Sequence, residues 1–423
     1  MASISIKSGR KLRIAVLGST YPRTHEDHQV PWLRESVNRI VRRGHSVTVI
    51  APAFQGSPDH TIDGVPVRRF RYGPAALEVW THGESAPAKL AKNPLSKLLA
   101  VTYFLAGIWA TWRLCVRERI EVLHVHRPFP HGLMAFLPKW LNGVRVVVTC
   151  HSAEIAMARK SRLVSALLAH CLQAADGNIA NSSHTARLVR EISGENAYVL
   201  PYGATIKIKP ASYAAEPFLL FSGRLIARKG VCYLLEAMPC ILEGHPIRLI
   251  ITGDGPERAP LAAQSEKLGL RRWVEFAGFV TNERLAELFR TCTAYVHPAI
   301  YDDNGDTEGS GVVLIEALLN RKPVIASSVG GIVDVIKDGD TGLLVPEKDP
   351  VALAMAVLRV LNDPAEAGRL GARGYAYASE FFDWERITDN LERFYFTALG
   401  LTLTRAEAAP LNGNVPAGRR VGV

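Results

Sequence analysis

Short, unbroken apolar runs alternate with longer amphipathic stretches along most of the chain. The runs predict strands at 12–17, 46–50, 121–125, 144–149 and 177–180, and the stretches between them predict helices at 28–43, about 95–117, 131–141, 161–174 and 182–192. Strands at 218–222, 248–252, 273–276, 293–296 and 323–326 repeat the plan in the second half. Runs without polar interruption belong to strands covered on both faces, so the alternation predicts an α/β protein with parallel, doubly wound sheets. From Leu200-Pro201-Tyr202-Gly203 to Lys209-Pro210 the chain is punctuated by proline and glycine, and this linker places a domain boundary near residue 205. The expected division is 1–205, then 206–380. Helical periodicity resumes from Trp384 to Tyr395, within an expected terminal helix at 381–398, and the Ala-, Gly- and Pro-rich tail of 399–423 is expected to be disordered.

The stretch from Leu98 to Trp112 is apolar throughout and is followed by Arg113. At fifteen residues it falls short of the roughly twenty needed to span a bilayer. It is expected either as a core helix on the first sheet or as an interfacial helix, with Tyr103, Trp109 and Trp112 at headgroup level.

With 423 residues and 48% hydrophobic content the chain can build two cores. Its six cysteines, at 115, 150, 171, 232, 240 and 292, form no CxxC pair and no metal-ligand spacing. They are expected as free thiols in a reducing compartment, and no metal is implied. Residues 1–10 are polar and lack the apolar centre of a secretory signal, so a cytoplasmic protein is expected. Charge is unevenly divided: residues 1–200 hold 26 Lys and Arg against 13 Asp and Glu, the remainder 24 against 27. The basic residues include Arg34, Arg39, Arg42 and Arg43 on one predicted helix, then Arg68, Arg69 and Arg71, then Lys89, Lys92 and Lys97. No helix-turn-helix, zinc or stacking-platform signature accompanies them, so no nucleic-acid partner is expected. An anionic membrane surface or a lipid-linked phosphate fits better, with the protein peripheral at the inner face of the plasma membrane.

The candidate chemistry lies in the second half. Glu308 and Glu316 flank Gly309-Ser310-Gly311 and an apolar run that reads as a buried helix. A helix starting near Gly311 would point free N–H groups at an anion, with Glu316 about one and a half turns in, able to accept from a vicinal diol such as a ribose. A bare spacing of this kind also fits ordinary charges near a helix end. Upstream, the strand Phe218–Ser222 runs into Gly223, Arg224 and, five residues later, Lys229. Cations just beyond the carboxyl end of a strand are placed where open α/β sheets bind ligands, and a guanidinium with an ammonium suits a diphosphate. Two further strand ends follow at Gly253-Asp254-Gly255-Pro256 and Gly278-Phe279.

In this order, Ser222-Gly223-Arg224-Leu225 with Lys229-Gly230, Gly253-Asp254-Gly255-Pro256, Phe276-Ala277-Gly278, Glu308 to Glu316, and Pro323 through Gly330-Gly331 to Val345 resemble the retaining family 4 glycosyltransferases of the GT-B fold. The first half resembles them more loosely, through Arg13–Leu17, Arg43–Ile50 and Val146–His151. The resemblance implies two Rossmann-like domains facing across a cleft, the first on the acceptor side and the second binding a nucleotide-sugar donor, with the last helix crossing back to the first domain. It implies no cofactor beyond that donor substrate, and transfer of a hexose-type sugar to a polysaccharide-precursor or glycolipid acceptor. His151, Arg224, Lys229 and Glu308 take the catalytic positions. Gly223, Gly253, Gly278, Phe279, Gly309, Ser310, Gly311, Val312 and Glu316 take donor-binding positions. Front-face attack is implied, with the leaving phosphate taking the acceptor's proton and with cations and helix amides in place of a metal ion.

Four departures stand out. Ser152 follows His151 where relatives commonly have Asp; Pro22–His28 replaces a glycine pair in the first loop; Val313 replaces a proline; and Pro201–Thr205 lacks the usual Asp. A hydride-transfer enzyme is disfavoured, because the first strand is followed by Gly18-Ser19-Thr20-Tyr21-Pro22 rather than a glycine ladder. A non-hydrolysing sugar-nucleotide epimerase and a catalytically silent binder of the same architecture remain as alternatives.

Overall fold

The computed structural model describes residues 4–6, 9–27, 29–80, 95–206 and 216–403. The chain forms two compact units, one of residues up to Ala180, Ala186–Leu200 and those from Thr388, the other of Asn181–Thr185 and Pro201–Ile387.

Among the described residues the first unit holds an eight-stranded sheet in the order His60–Ile62, Val65–Phe70, Ser46–Pro52, Arg13–Leu17, Val122–His126, Arg145–Cys150, Gly177–Ala180, Tyr198–Val199. All neighbours are parallel except the hairpin of the first two. The second unit holds a parallel six-stranded sheet in the order Val274–Gly278, Arg248–Thr252, Phe218–Ser222, Ala294–His297, Val324–Ser327, Leu343–Val345. Its central strand shows why the run is unbroken. Leu219 and Phe221 enter one core with Leu234 and Met238, while Phe218 and Leu220 enter the opposite core with Phe289 and Leu314. Burying each such side chain is worth about 1.5–3 kcal/mol.

Several expectations change. The helix expected from 28 begins at Pro31, whose ring disfavours helical backbone at the preceding Val30. That expected at 131–141 breaks into Pro128–His131, a 3₁₀ turn at Gly132–Ala135 and Phe136–Asn142, because Pro128, Pro130 and Pro138 lack amide donors. A short helix, Ala153–Arg159, follows His151 without having been expected. Leu401–Leu403 pairs in parallel with Ile4–Ile6 in place of the start of a disordered tail, since both segments alternate apolar and polar residues. Residues 404–423 lie outside the described residues. The terminal helix spans Trp384–Ala398, and from Thr388 it belongs to the first unit. There Tyr395 Oη lies 2.7 Å from His124 Nδ1, and Glu392 lies 2.8 Å from His45 Nε2.

The expected basic face is largely consumed within the fold. Arg34 pairs with Asp63, Arg39 with Glu35, Arg43 with Asp389 and Arg71 with Glu78. Arg69 is buried and donates to the carbonyls of Tyr21, Pro22 and Pro52. Guanidinium groups beside a sheet are held wherever carboxylates and loop carbonyls can satisfy them. Leu95–Arg117 is a single 23-residue helix, uninterrupted by Arg113. From Leu98 it is long and apolar enough to cross a bilayer by length and composition, with a mean hydropathy of 1.4. One stripe of it packs on the first unit's core: Tyr103, Leu114 and Cys115 are buried, and a Cβ at Gly107 would lie 2.5 Å from Met134 Sδ.

Candidate active site

In the second unit the carboxyl ends of neighbouring strands are joined by their loops. The Gly253 amide donates to the Gly278 carbonyl at 2.7 Å, and Leu225 donates to the Asp254 carbonyl at 2.9 Å. The approach is so close that a Cβ on Gly253 would lie 2.1 Å from the Gly223 carbonyl oxygen. Only glycine allows this contact, and Gly253 also has φ +105°. Phe279, beyond Gly278, is 80% exposed.

The acidic loop is seated in the same way. Gly331 donates to the Glu308 carbonyl at 2.9 Å, and its own Cβ position would fall 2.0 Å from the Gly309 carbonyl oxygen. Gly311, at φ +63°, then caps the helix Val312–Leu319, so the Gly309–Val312 turn presents the amino end of a buried helix.

Into this end come the charged groups. The strand Phe218–Ser222 continues through Gly223 and exposed Arg224 to a 3₁₀ turn, Ala227–Lys229. That turn buries Lys229, whose ammonium donates to Glu308 Oε2. Burial works to raise the Glu308 pKa, but Lys229, the His297 hydrogen bond and Arg228 hold it well below the usual carboxylate range. Burial also lowers the Lys229 pKa, opposed by Glu308 and reinforced by Arg228 and Arg224. The Arg224 side chain makes no hydrogen bond or ion pair among the described residues, its carbonyl alone accepting from the Ile226 amide at 3.0 Å.

Glu316 is buried on the helix, and its Oε1 accepts from the Thr205 amide at 3.1 Å and the Thr205 hydroxyl at 2.9 Å. The structure thus couples it to the segment after Leu200 rather than leaving it open to solvent. A buried carboxylate needs donors, and this loop supplies them. Burial raises the Glu316 pKa, opposed by Thr205 and the Ile206 amide.

His151 belongs to the first unit, just beyond the strand Arg145–Cys150. Its amide donates to Glu154 Oε1 at 2.6 Å, so the acidic partner stands three residues on, in the unexpected helix, and Ser152 supplies only the turn at φ +76°. The imidazole lies 3.2 Å from His126 Nδ1 and packs on Trp32, with ring centroids 4.7 Å apart. Burial, then Arg127 and His124, push its pKa well below the ordinary histidine value.

Three residues in the second unit were not singled out from the sequence. His297 contacts Glu308, Tyr295 contacts His297, and Arg228 donates to the Thr307 carbonyl at 2.9 Å and pairs with Asp306. Arg228 stood between two named cations, and His297 lay just past a predicted strand, but only the fold brings them to Glu308.

Two family models match consecutive parts of the chain: Glycosyltransferase Family 4 over residues 32–206 and Glycosyl transferases group 1 over residues 204–377. The phosphatidyl-myo-inositol mannosyltransferase of Mycobacterium leprae is 29% identical over 363 residues, covering 84% of this chain and 89% of that protein. An uncharacterised glycosyltransferase of Methanocaldococcus jannaschii is 35% identical over 184 residues, 44% of this chain and 46% of that protein, so the match spans about half of its length. Among solved structures, sucrose-phosphate synthase from Thermosynechococcus elongatus has a TM-score of 0.76 at 22% identity, covering 92% of this chain and 99% of that one. An Anabaena protein solved with UDP and glucose has a TM-score of 0.70 at 18% identity, with coverages of 91% and 100%. With two parallel α/β units, structural neighbours of the same architecture and both family models in succession, the chain belongs to the family 4-type glycosyltransferases, sugar-transferring enzymes of the GT-B fold.

Proposed function

We propose that the enzyme transfers a hexose-type sugar from a nucleotide-diphosphate donor to a polysaccharide precursor or glycolipid, with retention of configuration and without a metal ion. The observation that carries this reading is the meeting of Lys229, Glu308 and exposed Arg224 at the glycine-lined strand ends. Cleaving a sugar–phosphate bond places positive charge on the anomeric carbon and negative charge on the departing diphosphate, so fixed cations and amides at the phosphate give the largest help. In this reading Arg224, Lys229 and the Gly309–Val312 amides receive the diphosphate, Glu308 accepts from sugar hydroxyls, and Glu316 meets the ribose. Gly223, Gly253, Gly278, Phe279 and Ser310 form the donor's walls, and His151 is the catalytic residue proposed in the first unit. The departing phosphate oxygen takes the acceptor's proton, so no separate general base is needed.

The mannosyltransferase relative, which by its name acts on phosphatidyl-myo-inositol, supports a lipid-linked acceptor. The Anabaena protein solved with UDP and glucose supports a nucleotide donor. A cytoplasmic setting is part of the same proposal. The test is release of nucleotide from UDP-, GDP- and ADP-sugars with and without an acceptor lipid or glycan. Release that depends on acceptor, with the anomeric configuration kept in the product, is expected. Conversion of the donor's sugar without transfer would favour an epimerase, and binding without turnover a silent binder.

A further inference from the structure

The helix Leu95–Arg117 turns two different faces outward and inward. While Tyr103, Gly107 and Leu114 face the core, Leu98, Val101, Leu105, Trp109 and Val116 are 61%, 54%, 63%, 54% and 45% exposed. Their spacings of three, four, four and seven put them on one side of the helix, a ridge roughly 27 Å long at 1.5 Å per residue. The neighbouring helix Phe136–Asn142, which packs against this one, also exposes Trp140, at 67%. So much contiguous apolar surface on a water-soluble face marks a binding surface.

We propose that this ridge is a membrane-docking face that lies in the headgroup layer of an anionic bilayer, parallel to its plane. Charge selects the occupant. Within Leu95–Arg117 the helix carries Lys97, Arg113 and Arg117 and no acidic residue. A second copy docking through the same helix would set these cations against their own images, whereas an anionic lipid surface neutralises them. The side chains suit that layer: exposed tryptophans favour the boundary between headgroups and acyl chains, and the Arg113 guanidinium lies 4.9 Å over the Trp109 ring, its charge at the edge of the ridge. The inward stripe decides between lying on and crossing. With Gly107 pressed on Met134 and Tyr103 hydrogen-bonded to His131 at 2.8 Å, the helix is part of the unit's core, so its outer face alone is available to lipid. Penetration of about 5–10 Å is what such a face achieves. The arginines of the helix Pro31–Arg42 that pair within the fold are not needed for this surface. The proposal concerns the first unit only and holds whichever sugar is transferred.

The full-length protein is tested by co-sedimentation with phosphatidylcholine vesicles that do or do not contain about one-third phosphatidylglycerol, at low and high salt. Wild type is expected to bind the anionic vesicles, more weakly at high salt. The double variant Leu105→Glu with Trp109→Glu is expected to lose at least about tenfold in binding. Because both side chains are exposed, its unfolding midpoint and its nucleotide release with a water-soluble acceptor should match wild type. Wild type that stays in the supernatant at low salt overturns the proposal, as does a double variant that binds like wild type. A dimer seen by sedimentation of the free protein and dissolved by Leu105→Glu also overturns it, assigning the ridge to a second copy.

Discussion

His297 Nε2 lies 3.2 Å from Glu308 Oε2, the oxygen that also accepts from the Lys229 ammonium. A carboxylate can only accept, so Nε2 carries the ring proton, assigned here from its partner. In the neutral ring Nδ1 is then an acceptor, 3.0 Å from Tyr295 Oη, which is also 3.1 Å from the Ser222 carbonyl. Burial, reinforced by Lys229 and opposed by Glu308, lowers the His297 pKa to about 4, keeping the ring neutral near pH 7. His297 therefore orients Glu308 without adding charge.

A hydrogen bond to a charged group is worth about 1.5–3 kcal/mol, so His297→Phe should lower kcat about tenfold or more. His297→Gln, whose amide can donate near the Nε2 position, should recover most of that loss. Steady-state kcat and KM of the two variants check this, and equal losses in both would reduce His297 to a packing residue.

The two cations assigned to the diphosphate should part company in stability. Arg224→Ala and Lys229→Ala should each lower turnover about 10²-fold or more, as loss of a transition-state charge partner does. Arg224 is exposed, and its removal should leave the urea midpoint nearly unchanged. Removing Lys229 takes the ammonium from the buried Glu308 carboxylate and leaves it only His297 and Arg228, at a cost of up to roughly 3–5 kcal/mol. Lys229→Ala with Glu308→Gln should regain much of the stability and none of the turnover. Urea titrations beside activity assays separate the two effects.

The strand ends and their glycines were legible because buried parallel strands are written as unbroken apolar runs, as in Phe218–Ser222. The pairing of Lys229 with Glu308 was not, because both had been assigned to ligand and nothing local shows that one satisfies the other. His297 was missed for a similar reason. Its partners, Tyr295 on the same strand and Glu308 in a loop eleven residues on, are united only by the fold. The arginines of the first unit show a different limit, because net charge counts residues without showing which are already paired, as Arg34 is with Asp63.

Thr205 and Glu316 offer a test of how the carboxylate proposed to meet the ribose is held. Thr205→Val removes one of its hydrogen bonds and should cost about 1 kcal/mol while leaving the amide donor in place. Glu316→Gln sets an amide where only an acceptor fits and should cost more. Both should weaken donor binding, and thermal shift with and without nucleotide-sugar measures the two effects together.

Metal chelation tests the electrostatic assignment directly. With Arg224, Lys229 and the amino end of Val312–Leu319 assigned to the leaving diphosphate, turnover should persist in excess EDTA. Complete loss on chelation, restored by Mg²⁺ or Mn²⁺, would overturn the metal-independent reading.

Acid should destabilise the fold through its buried histidines. Burial lowers the pKa of His124 to about 3 and those of His131 and His297 to about 4, so each is neutral in the folded protein at pH values where the unfolded chain, near 6.5, takes up a proton. The unfolded state binds more protons between those limits, so stability falls as pH drops from about 6.5 toward about 4. Each such histidine contributes a slope of about 1.4 kcal/mol per pH unit where its folded and unfolded forms differ by a full proton. Glu316, with its raised pKa, works the other way, gaining stability as pH falls through its folded value. Urea titrations from pH 7 to about 4.5 should therefore show a steep loss. Replacing His131, whose Nε2 lies 2.8 Å from Tyr103 Oη, with Gln should flatten the slope by up to one proton even if it lowers stability at neutral pH. An unchanged slope would mean that burial does not hold His131 neutral in the folded protein.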